Sequence, residues 1–148
     1  MDTMTKEQRS RTMARIRSKN TSIEHRFKMA MAKIGLRGWR MHDKESTADF
    51  CFPKERIAIF LDGCFWHGCP VHYRPPKSNK KFWTSKVKRN MRRDREITEK
   101  LESQGWIVLR IWEHELHNFQ AALAKAVWIS SILSRRSYGE TNLVQDIR

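Results

Sequence analysis

Apolar residues recur along the chain at two spacings, one typical of helices and one typical of strands. Helical spacing predicts four helices, over 5–18, 22–35, 81–104 and 119–133. Short apolar runs predict four strands, over 38–41, 48–52, 56–61 and 106–112. The third run is apolar on both faces and is expected to be a central strand, and the fourth is expected to be a second buried strand. The predicted order α, α, β, β, β, α, β, α indicates an α/β fold with a small mixed sheet flanked by helices.

These elements divide the chain into three predicted parts. Residues 1–20 are expected to form a basic helix or arm that packs lightly, because Met13 and Ile16 give it only a thin apolar stripe. Residues 21–134 hold the remaining elements and are expected to be one domain. Residues 135–148 are expected to be a tail that is ordered only in part.

The charge balance points to a polyanionic partner. Thirty Lys and Arg residues against sixteen Asp and Glu residues leave a net charge of +14 on 148 residues. So large a positive excess favours nucleic acid, with a purely structural RNA-binding protein as the plainer alternative. The N-terminus has no apolar targeting segment and no run approaches transmembrane length, so we expect a cytoplasmic protein whose cysteines are reduced.

A nine-residue loop after the third predicted strand concentrates metal-binding side chains. Cys64, Cys69 and His72 have a spacing that suits zinc, and the fourth ligand is expected from His114 or His117, of which His114 lies nearer the preceding strand. His67 lies within the same loop and is either a further ligand or a free imidazole. A free imidazole there could act as a general base on water.

Three acidic residues stand out against the basic background. Asp49 lies between apolar neighbours in the second predicted strand, where its carboxylate could bind Mg²⁺ or simply make a turn hydrogen bond. Asp62 ends the third strand and is either a site residue or a turn aspartate. Glu24 follows Thr21 by three residues, and this spacing is also typical of a helix-capping box.

Large aromatic residues accompany this chemistry. Phe65 and Trp66 lie between the predicted metal ligands, and Trp83 begins the long basic helix. Apolar side chains held rigidly on a basic protein can wedge between stacked bases. Trp83 could equally be an ordinary core residue.

Taken together, the motifs resemble those of one family, the very short patch repair (Vsr) DNA mismatch endonucleases. The resemblance covers roughly residues 5–134. It rests on these motifs, in chain order: Arg9-Ser10, Asn20-Thr21 before Glu24, Asp49-Phe50, Asp62-Gly63-Cys64-Phe65-Trp66-His67, Phe82-Trp83, Asn90 to Asp94-Arg95, Gly105-Trp106 and Val108-Leu109-Arg110-Ile111-Trp112-Glu113. Among these motifs, Asp-Gly-Cys-Phe-Trp-His is highly specific.

The resemblance implies a restriction-endonuclease-like core, related to the PD-(D/E)XK nucleases, over residues 21–134. Such enzymes nick one strand of duplex DNA beside the thymine of a T:G mismatch, which arises when 5-methylcytosine deaminates. By position, Asp49 and the main-chain carbonyl of Leu61 would bind Mg²⁺. His67 would activate water, and Glu24 would form a hydrogen bond in the same site.

The resemblance also implies a structural zinc ion and an intercalating wedge. Zinc would be bound by Cys64, Cys69, His72 and His114, and the duplex would be opened by Phe65, Trp66 and Trp83. The N-terminal helix would close over the DNA. We expect a monomer that associates with the nucleoid when it binds DNA, with downstream repair proteins as possible partners and no membrane association.

The chain departs from the best-known family pattern in three places. Asp62 stands where a histidine sometimes precedes Gly-Cys-Phe-Trp-His, so Asp62 could hold a metal-bound water instead of acting on a leaving group. Leu61 replaces a threonine, which a main-chain ligand would tolerate. Cys69 and His72 replace a His-x-Cys pair, and His114 replaces a cysteine, which preserves zinc chemistry but changes the charge of the site.

Two rival interpretations remain open from the residues. A zinc-stabilised DNA-binding protein without catalysis would need no role for Asp49. A related nuclease for another mismatch or lesion would have the same catalytic residues, so a comparison of substrates is needed to distinguish it.

Overall fold

The computed structural model describes residues 4–16 and 19–139 of the chain. Its helices are α1 (Lys6–Arg15), α2 (Ser22–Lys33), α3 (Lys80–Ser103) and α4 (Phe119–Ser137). Its strands are β1 (Arg40–Met41), β2 (Phe50–Phe52), β3 (Ile57–Asp62) and β4 (Ile107–Trp112). A short 3₁₀ helix over Glu113–Leu116 separates β4 from α4. The predicted order of helices and strands is confirmed.

The four strands form one mixed sheet in the order β1-β2-β3-β4. The pairs β1-β2 and β2-β3 are antiparallel, whereas β3 and β4 are parallel, with Ile59 opposite Leu109 and Asp62 opposite Trp112. Every residue of β3 is buried, so the prediction of a central strand is confirmed. The prediction of a second buried strand holds for one face of β4, where Ile107, Leu109 and Ile111 are buried, while its other residues are half-buried because β4 is an edge strand.

Helices cover both faces of the sheet. On one face, α2 and α4 pack together and bury Phe27 and Ile129 against Phe50 of β2. On the other face, α3 contributes Leu101 to a smaller cluster that includes Cys51. Cys51 is fully buried in β2. The sheet is therefore the middle layer of three, and the carboxyl ends of β3 and β4 lie side by side at one of its edges.

Most boundaries agree with the sequence pattern, and the exceptions have local causes. Asn118 caps α4 by accepting a hydrogen bond from the N–H of Ala121, and α4 continues to Ser137 instead of ending near 133. Of the predicted tail over 135–148, residues 140–148 lie outside the described part of the chain. Helix α1 ends at Arg15, and none of its residues is buried. Among the described residues, no helix is both long and apolar enough to cross a membrane.

Candidate active site

The parallel pair β3-β4 brings distant segments of the chain together. The loop that follows β3 carries the cysteine and histidine motif, and the 3₁₀ helix that follows β4 carries His114. Because Asp62 and Trp112 lie opposite each other at the ends of these strands, the two connections leave the sheet side by side. Asp62 and His67 therefore lie beside the segment that holds His114.

Asp49 lies immediately before β2, whereas the sequence pattern placed it within that strand. Its Oδ2 accepts a hydrogen bond of 2.7 Å from the main-chain N–H of Leu61 in the neighbouring strand. Burial raises the pKa of Asp49 to about 6, the Leu61 N–H opposes this rise, and the negative charges of Glu24 and Asp62 add to it. A half-buried carboxylate among other acids is the kind of oxygen ligand that suits a hard divalent cation.

Glu24 is buried near the start of α2, with a relative exposure of 3%. Its N–H donates to Oγ1 of Thr21, so the predicted N-cap is present. Its carboxylate, however, accepts from the N–H of Asn20 at 2.9 Å rather than from Thr21, which differs from a complete capping box.

His42 is half-buried beside Glu24. Its Nε2 lies 3.1 Å from Oε2 of Glu24, a distance that suits an ion pair if the ring is protonated. The angles do not make this contact a hydrogen bond, so the buried Nε2 has no such partner among the described residues. His42 also has a φ of +49°, a backbone conformation that residues other than glycine rarely adopt.

His67 is held by an acidic residue of α3. Its Nδ1 lies 2.6 Å from Oδ2 of Asp94 and 3.6 Å from Oδ1 of Asp62. Burial acts to lower the pKa of His67, but the hydrogen bond to Asp94 and the charges of both carboxylates outweigh it and raise that pKa. Because Nδ1 donates to the carboxylate, Nε2 is the ring nitrogen left to exchange a proton with a substrate.

Asp62 is buried, with a relative exposure of 3%, and is paired with a guanidinium. Nη1 of Arg110 in β4 donates to both carboxylate oxygens of Asp62, at 3.0 and 3.1 Å. Burial raises the pKa of Asp62, while the Arg110 and His67 charges act against this rise. Asp62 is thus the partner of a cation supplied by the protein itself.

A cleft of about 600 Å³ lies beside His67. Met13 of α1 and Ile16, which follows that helix, line one side of it, and Lys86 and Arg93 of α3 line another. The cleft therefore combines the His67 imidazole with apolar and cationic side chains, a suitable lining for the backbone and bases of a nucleic acid.

The four predicted zinc ligands lie together. The ligand atoms of Cys64, Cys69, His72 and His114 are all within 4.8 Å of one another. Nδ1 of His114 is 3.3 Å from Sγ of Cys64 and 3.6 Å from Sγ of Cys69, and Nδ1 of His72 is 3.9 Å from Sγ of Cys69. Tetrahedral zinc with ordinary bond lengths separates its sulfur and nitrogen ligands by about 3.6 Å, so this donor set fits the ion.

His117, the alternative fourth ligand, lies outside this group. Its Nδ1 is 2.9 Å from the main-chain carbonyl oxygen of His114. His114, by contrast, is the second residue of the 3₁₀ helix and faces both cysteine sulfurs. The geometry therefore favours His114.

The aromatic residues form one cluster beside the cleft. The ring of Phe65 lies 5.2 Å from that of Trp66 and 5.6 Å from that of Trp83, and the two tryptophan rings are 5.9 Å apart. Nζ of Lys86 lies 5.3 and 5.5 Å from the centres of the Trp66 and Trp83 rings. Phe82, on the other side of Trp83, is 58% exposed. Trp83 thus belongs to this half-buried cluster rather than to the core.

The loop that carries these residues is fixed against α3. The side-chain amide of Asn90 donates to the main-chain carbonyl of Trp66 at 3.0 Å. Gly68 has a φ of +65°, and a side chain there would lie 2.7 Å from the sulfur of Met91. The left-handed backbone therefore favours glycine at position 68, and any other residue would also displace the Met91 side chain.

Two residues of the site carried weaker sequence signals. Asp94 follows the buried Val87 by seven residues and precedes the buried Leu101 by seven, so it is an acid on the apolar face of α3. Arg110 is a charged residue in the middle of an apolar strand. In both cases a charge at a position expected to be apolar was the available clue.

Comparisons with known proteins agree with this geometry. The sequence profile of the family described as DNA mismatch endonuclease Vsr matches residues 1–72. The type II nicking enzyme V.NaeI of Lentzea aerocolonigenes is 40% identical over 125 residues, which cover 80% of this chain and 74% of that enzyme. The type II nicking enzyme V.HpaIIP of Haemophilus parainfluenzae is 37% identical over 137 residues, which cover 86% of this chain and 96% of that enzyme.

A mismatch endonuclease is also among the relatives. The DNA mismatch endonuclease Vsr of Escherichia coli strain K12 is 34% identical over 115 residues, which cover 76% of this chain and 73% of that protein. These relatives are nucleases by name and align over most of the length of both proteins. The chain therefore belongs to the Vsr family of DNA mismatch endonucleases and is itself a DNA endonuclease.

Proposed function

We propose that the protein nicks one strand of duplex DNA beside the thymine of a T:G mismatch and so starts very short patch repair. The observation that carries this proposal is the 2.6 Å contact between His67 and Asp94 beside a cleft with cationic and aromatic walls. A relative named as a DNA mismatch endonuclease and others named as nicking enzymes support the same activity. One protein molecule is expected to act on one strand.

In this proposal His67 is the general base. With Nδ1–H donated to Asp94, Nε2 accepts a proton from a water molecule as the water oxygen bonds to phosphorus, one P–O ester bond breaks, and the departing oxygen takes up a proton from solvent. Asp94 keeps the ring in this tautomer and stabilises the imidazolium that forms. The raised pKa of His67 is consistent with a ring that retains a captured proton.

Asp49 and the main-chain carbonyl of Leu61 would bind Mg²⁺ in this site. The ion would supply positive charge to the phosphate oxygens in the transition state. Glu24 forms hydrogen bonds near the same site and fixes the start of α2 there. Leu61 is held in place because its N–H donates to Asp49, so the two proposed ligands are fixed relative to each other.

The zinc site and the aromatic cluster would serve recognition. Zinc bound by Cys64, Cys69, His72 and His114 would hold the loop rigid, so Phe65 and Trp66 need not be ordered when DNA binds. Opening a base step takes a few kcal/mol, and less at a mismatch, so insertion of these rings with Trp83 would favour mispaired sites.

A nicking assay tests the proposal directly. An end-labelled duplex with one T:G mismatch and its fully paired counterpart are incubated with Mg²⁺ or with EDTA, and the products are separated on a denaturing gel. We expect one cut beside the mismatched thymine, only with Mg²⁺. His67→Ala should lower the nicking rate by about 10²-fold or more, because removing a positioned general base has an effect of that size. His25→Ala, which changes an exposed histidine of α2, is the matched control.

The possible results separate the alternatives. Equal cutting of both duplexes would keep the nuclease chemistry but refute the mismatch specificity. Salt-sensitive binding without any cutting would favour a DNA-binding protein without catalysis. Full activity of His67→Ala would refute the assigned base even if the T:G substrate were correct.

A further inference from the structure

The side chain of Arg110 lies at the centre of the acidic groups around His67. All three of its nitrogens donate to the protein: Nη1 to Asp62, Nη2 to the main-chain carbonyl of Asp94 at 3.1 Å, and Nε to Oγ1 of Thr98 at 3.1 Å. The guanidinium also lies 4.4 Å from the centre of the Phe60 ring on the neighbouring strand. These contacts fix both the position and the plane of the group.

Two carboxylates flank one imidazole nitrogen at this point. Nδ1 of His67 is 2.6 Å from a carboxylate oxygen of Asp94 and 3.6 Å from one of Asp62. The two distances differ by so little that a small movement of the ring would exchange one partner for the other. Arg110 occupies both oxygens of Asp62 at 3.0 and 3.1 Å. Asp62 is therefore held away from the ring.

We propose that Arg110 is a positioning residue for DNA nicking: it restrains Asp62 and anchors α3 at Asp94, so that Asp94 alone holds the His67 ring in its productive orientation. The inference rests on the proposed role of His67 as the general base. In this inference the Asp62 carboxylate pairs with Arg110 and does not hold a metal-bound water. The ligand atoms of Asp62, His67 and Asp94 lie within 4.8 Å of one another, and the Arg110 guanidinium supplies a cation to both carboxylates.

The contacts distinguish Arg110 from the cations expected to bind phosphate. Its side chain is 22% exposed, and it pairs with Asp62, which is 5% exposed in its side chain. A lysine could pair with Asp62 but could not also donate to Thr98 and to the Asp94 carbonyl, because all its donor hydrogens are on one nitrogen atom. Positive charge alone is therefore not sufficient at position 110.

The test compares Arg110→Met and Arg110→Lys with the wild-type protein. We expect Arg110→Met to lower the single-turnover nicking rate by about 10²-fold, because a displacement of about 1 Å in a catalytic group has this effect. DNA affinity and its dependence on salt should stay unchanged. Arg110→Lys should recover only part of the lost rate.

A double variant identifies the group that Arg110 restrains. Asp62→Asn combined with Arg110→Met removes the buried unpaired carboxylate, so this protein should fold even where Arg110→Met does not, and should nick faster than Arg110→Met. Arg136→Met is the matched control. Arg136 is a half-buried arginine that donates to the main-chain carbonyls of Glu55 and Gly105. These residues precede β3 and β4, at the end of the strands away from His67. Arg136→Met should retain the wild-type nicking rate.

A measurement independent of cleavage completes the test. Long-range ¹⁵N correlation spectra of the His67 ring, recorded where the ring is neutral, should show the Nδ1–H tautomer in the wild type and a mixture of tautomers in Arg110→Met. A wild-type rate for Arg110→Met, or no recovery in the double variant, would refute the inference. A loss of affinity with a salt slope lowered by about one would make Arg110 a phosphate contact instead. Failure of the wild type to nick T:G DNA would refute the proposed function, while the spectra would still report on Arg110.

Discussion

Asp94 decides which nitrogen of His67 is available to a substrate. Its carboxylate accepts from Nδ1 at 2.6 Å, and the charges of His67 and Arg110 help to hold the pKa of Asp94 below its usual value although burial acts to raise it. Asp94 therefore stays ionised over the range in which the enzyme would act. An ionised partner favours the Nδ1–H tautomer and the imidazolium that follows proton transfer.

Asp94→Asn should lower the nicking rate by about 10²-fold or more with little change in DNA affinity. An amide has the same shape but no charge to stabilise the imidazolium, and its NH₂ group can turn toward Nδ1 and favour the wrong tautomer. The measurement is the single-turnover rate on T:G duplex, with binding followed separately. Glu96→Gln, which removes an exposed acid of the same helix, is the control. A normal rate for Asp94→Asn would mean that Asp94 does not orient the ring.

At this scale the sequence names candidate residues but not the partners that hold them. His67, Asp49 and Glu24 lie in recognisable motifs, so they could be named as candidates from the sequence. The pairing of His67 with Asp94, and of Asp62 with Arg110, depends on how α3 and β4 pack against β3. Sequence spacing fixes neither, because these partners are separated by 27 and 48 positions.

Among the elements, the loop after β3 has the greatest effect on the site, because it carries Cys64, His67 and Cys69 together. Asn90 of α3 donates a hydrogen bond to this loop, and Gly68 of the loop packs closely against α3. On the other side, His114 of the 3₁₀ helix lies beside Cys64 of the loop. A loop of this length has little core of its own, so a bound metal would contribute much of its rigidity.

Cys69→Ala should abolish zinc binding and lower the melting temperature by about 5 °C or more, since the loss of a structural metal removes folding free energy. Zinc content measured by mass spectrometry and thermal unfolding check this prediction. Cys51→Ala is the matched control, because Cys51 is equally buried but lies in β2 outside the metal-binding group. Wild-type zinc content in Cys69→Ala would refute the four-ligand site.

Some features of the helices and strands could be predicted from the sequence pattern, and others could not. Thr21 was recognisable as a helix cap because capping depends on neighbouring residues. The edge position of β4 was not recognisable, since it depends on which strands pair. One face of β4 is half-buried and carries Val108, Arg110 and Trp112. Two of these residues are apolar, so Arg110 was the only local sign in the sequence that this face is not fully buried.

At the scale of the whole molecule, helix α3 presents cations on two of its faces. Lys86 and Arg93 line the cleft, while Lys81, Lys88, Arg89, Arg92 and Arg95 lie on an outer face of the same helix. From position 81 to 95 the helix rises about 21 Å, a length comparable to six base pairs. Arg92 has Glu96 as a neighbour at 4.0 Å, but both side chains are about two-thirds exposed, so this pair holds the charge only weakly. The net charge of +14 predicted a polyanionic partner, but the folded structure is needed to show which surfaces of α3 carry its cations.

Lys88→Ala combined with Arg92→Ala should therefore weaken binding to matched and mismatched duplexes alike. Each cation that neutralises a phosphate contributes about 0.9 to the slope of log affinity against log salt, so the slope should fall by about two. The nicking rate at saturating protein should stay unchanged, because neither residue contacts the His67 site in the folded protein. Lys33→Ala combined with Lys54→Ala, which removes two exposed cations elsewhere, should leave the slope as it is. If the two double variants gave the same slope, the outer face of α3 would be only a solvated surface. A loss confined to the mismatched duplex would instead mean that this face reads the distorted DNA rather than its charge.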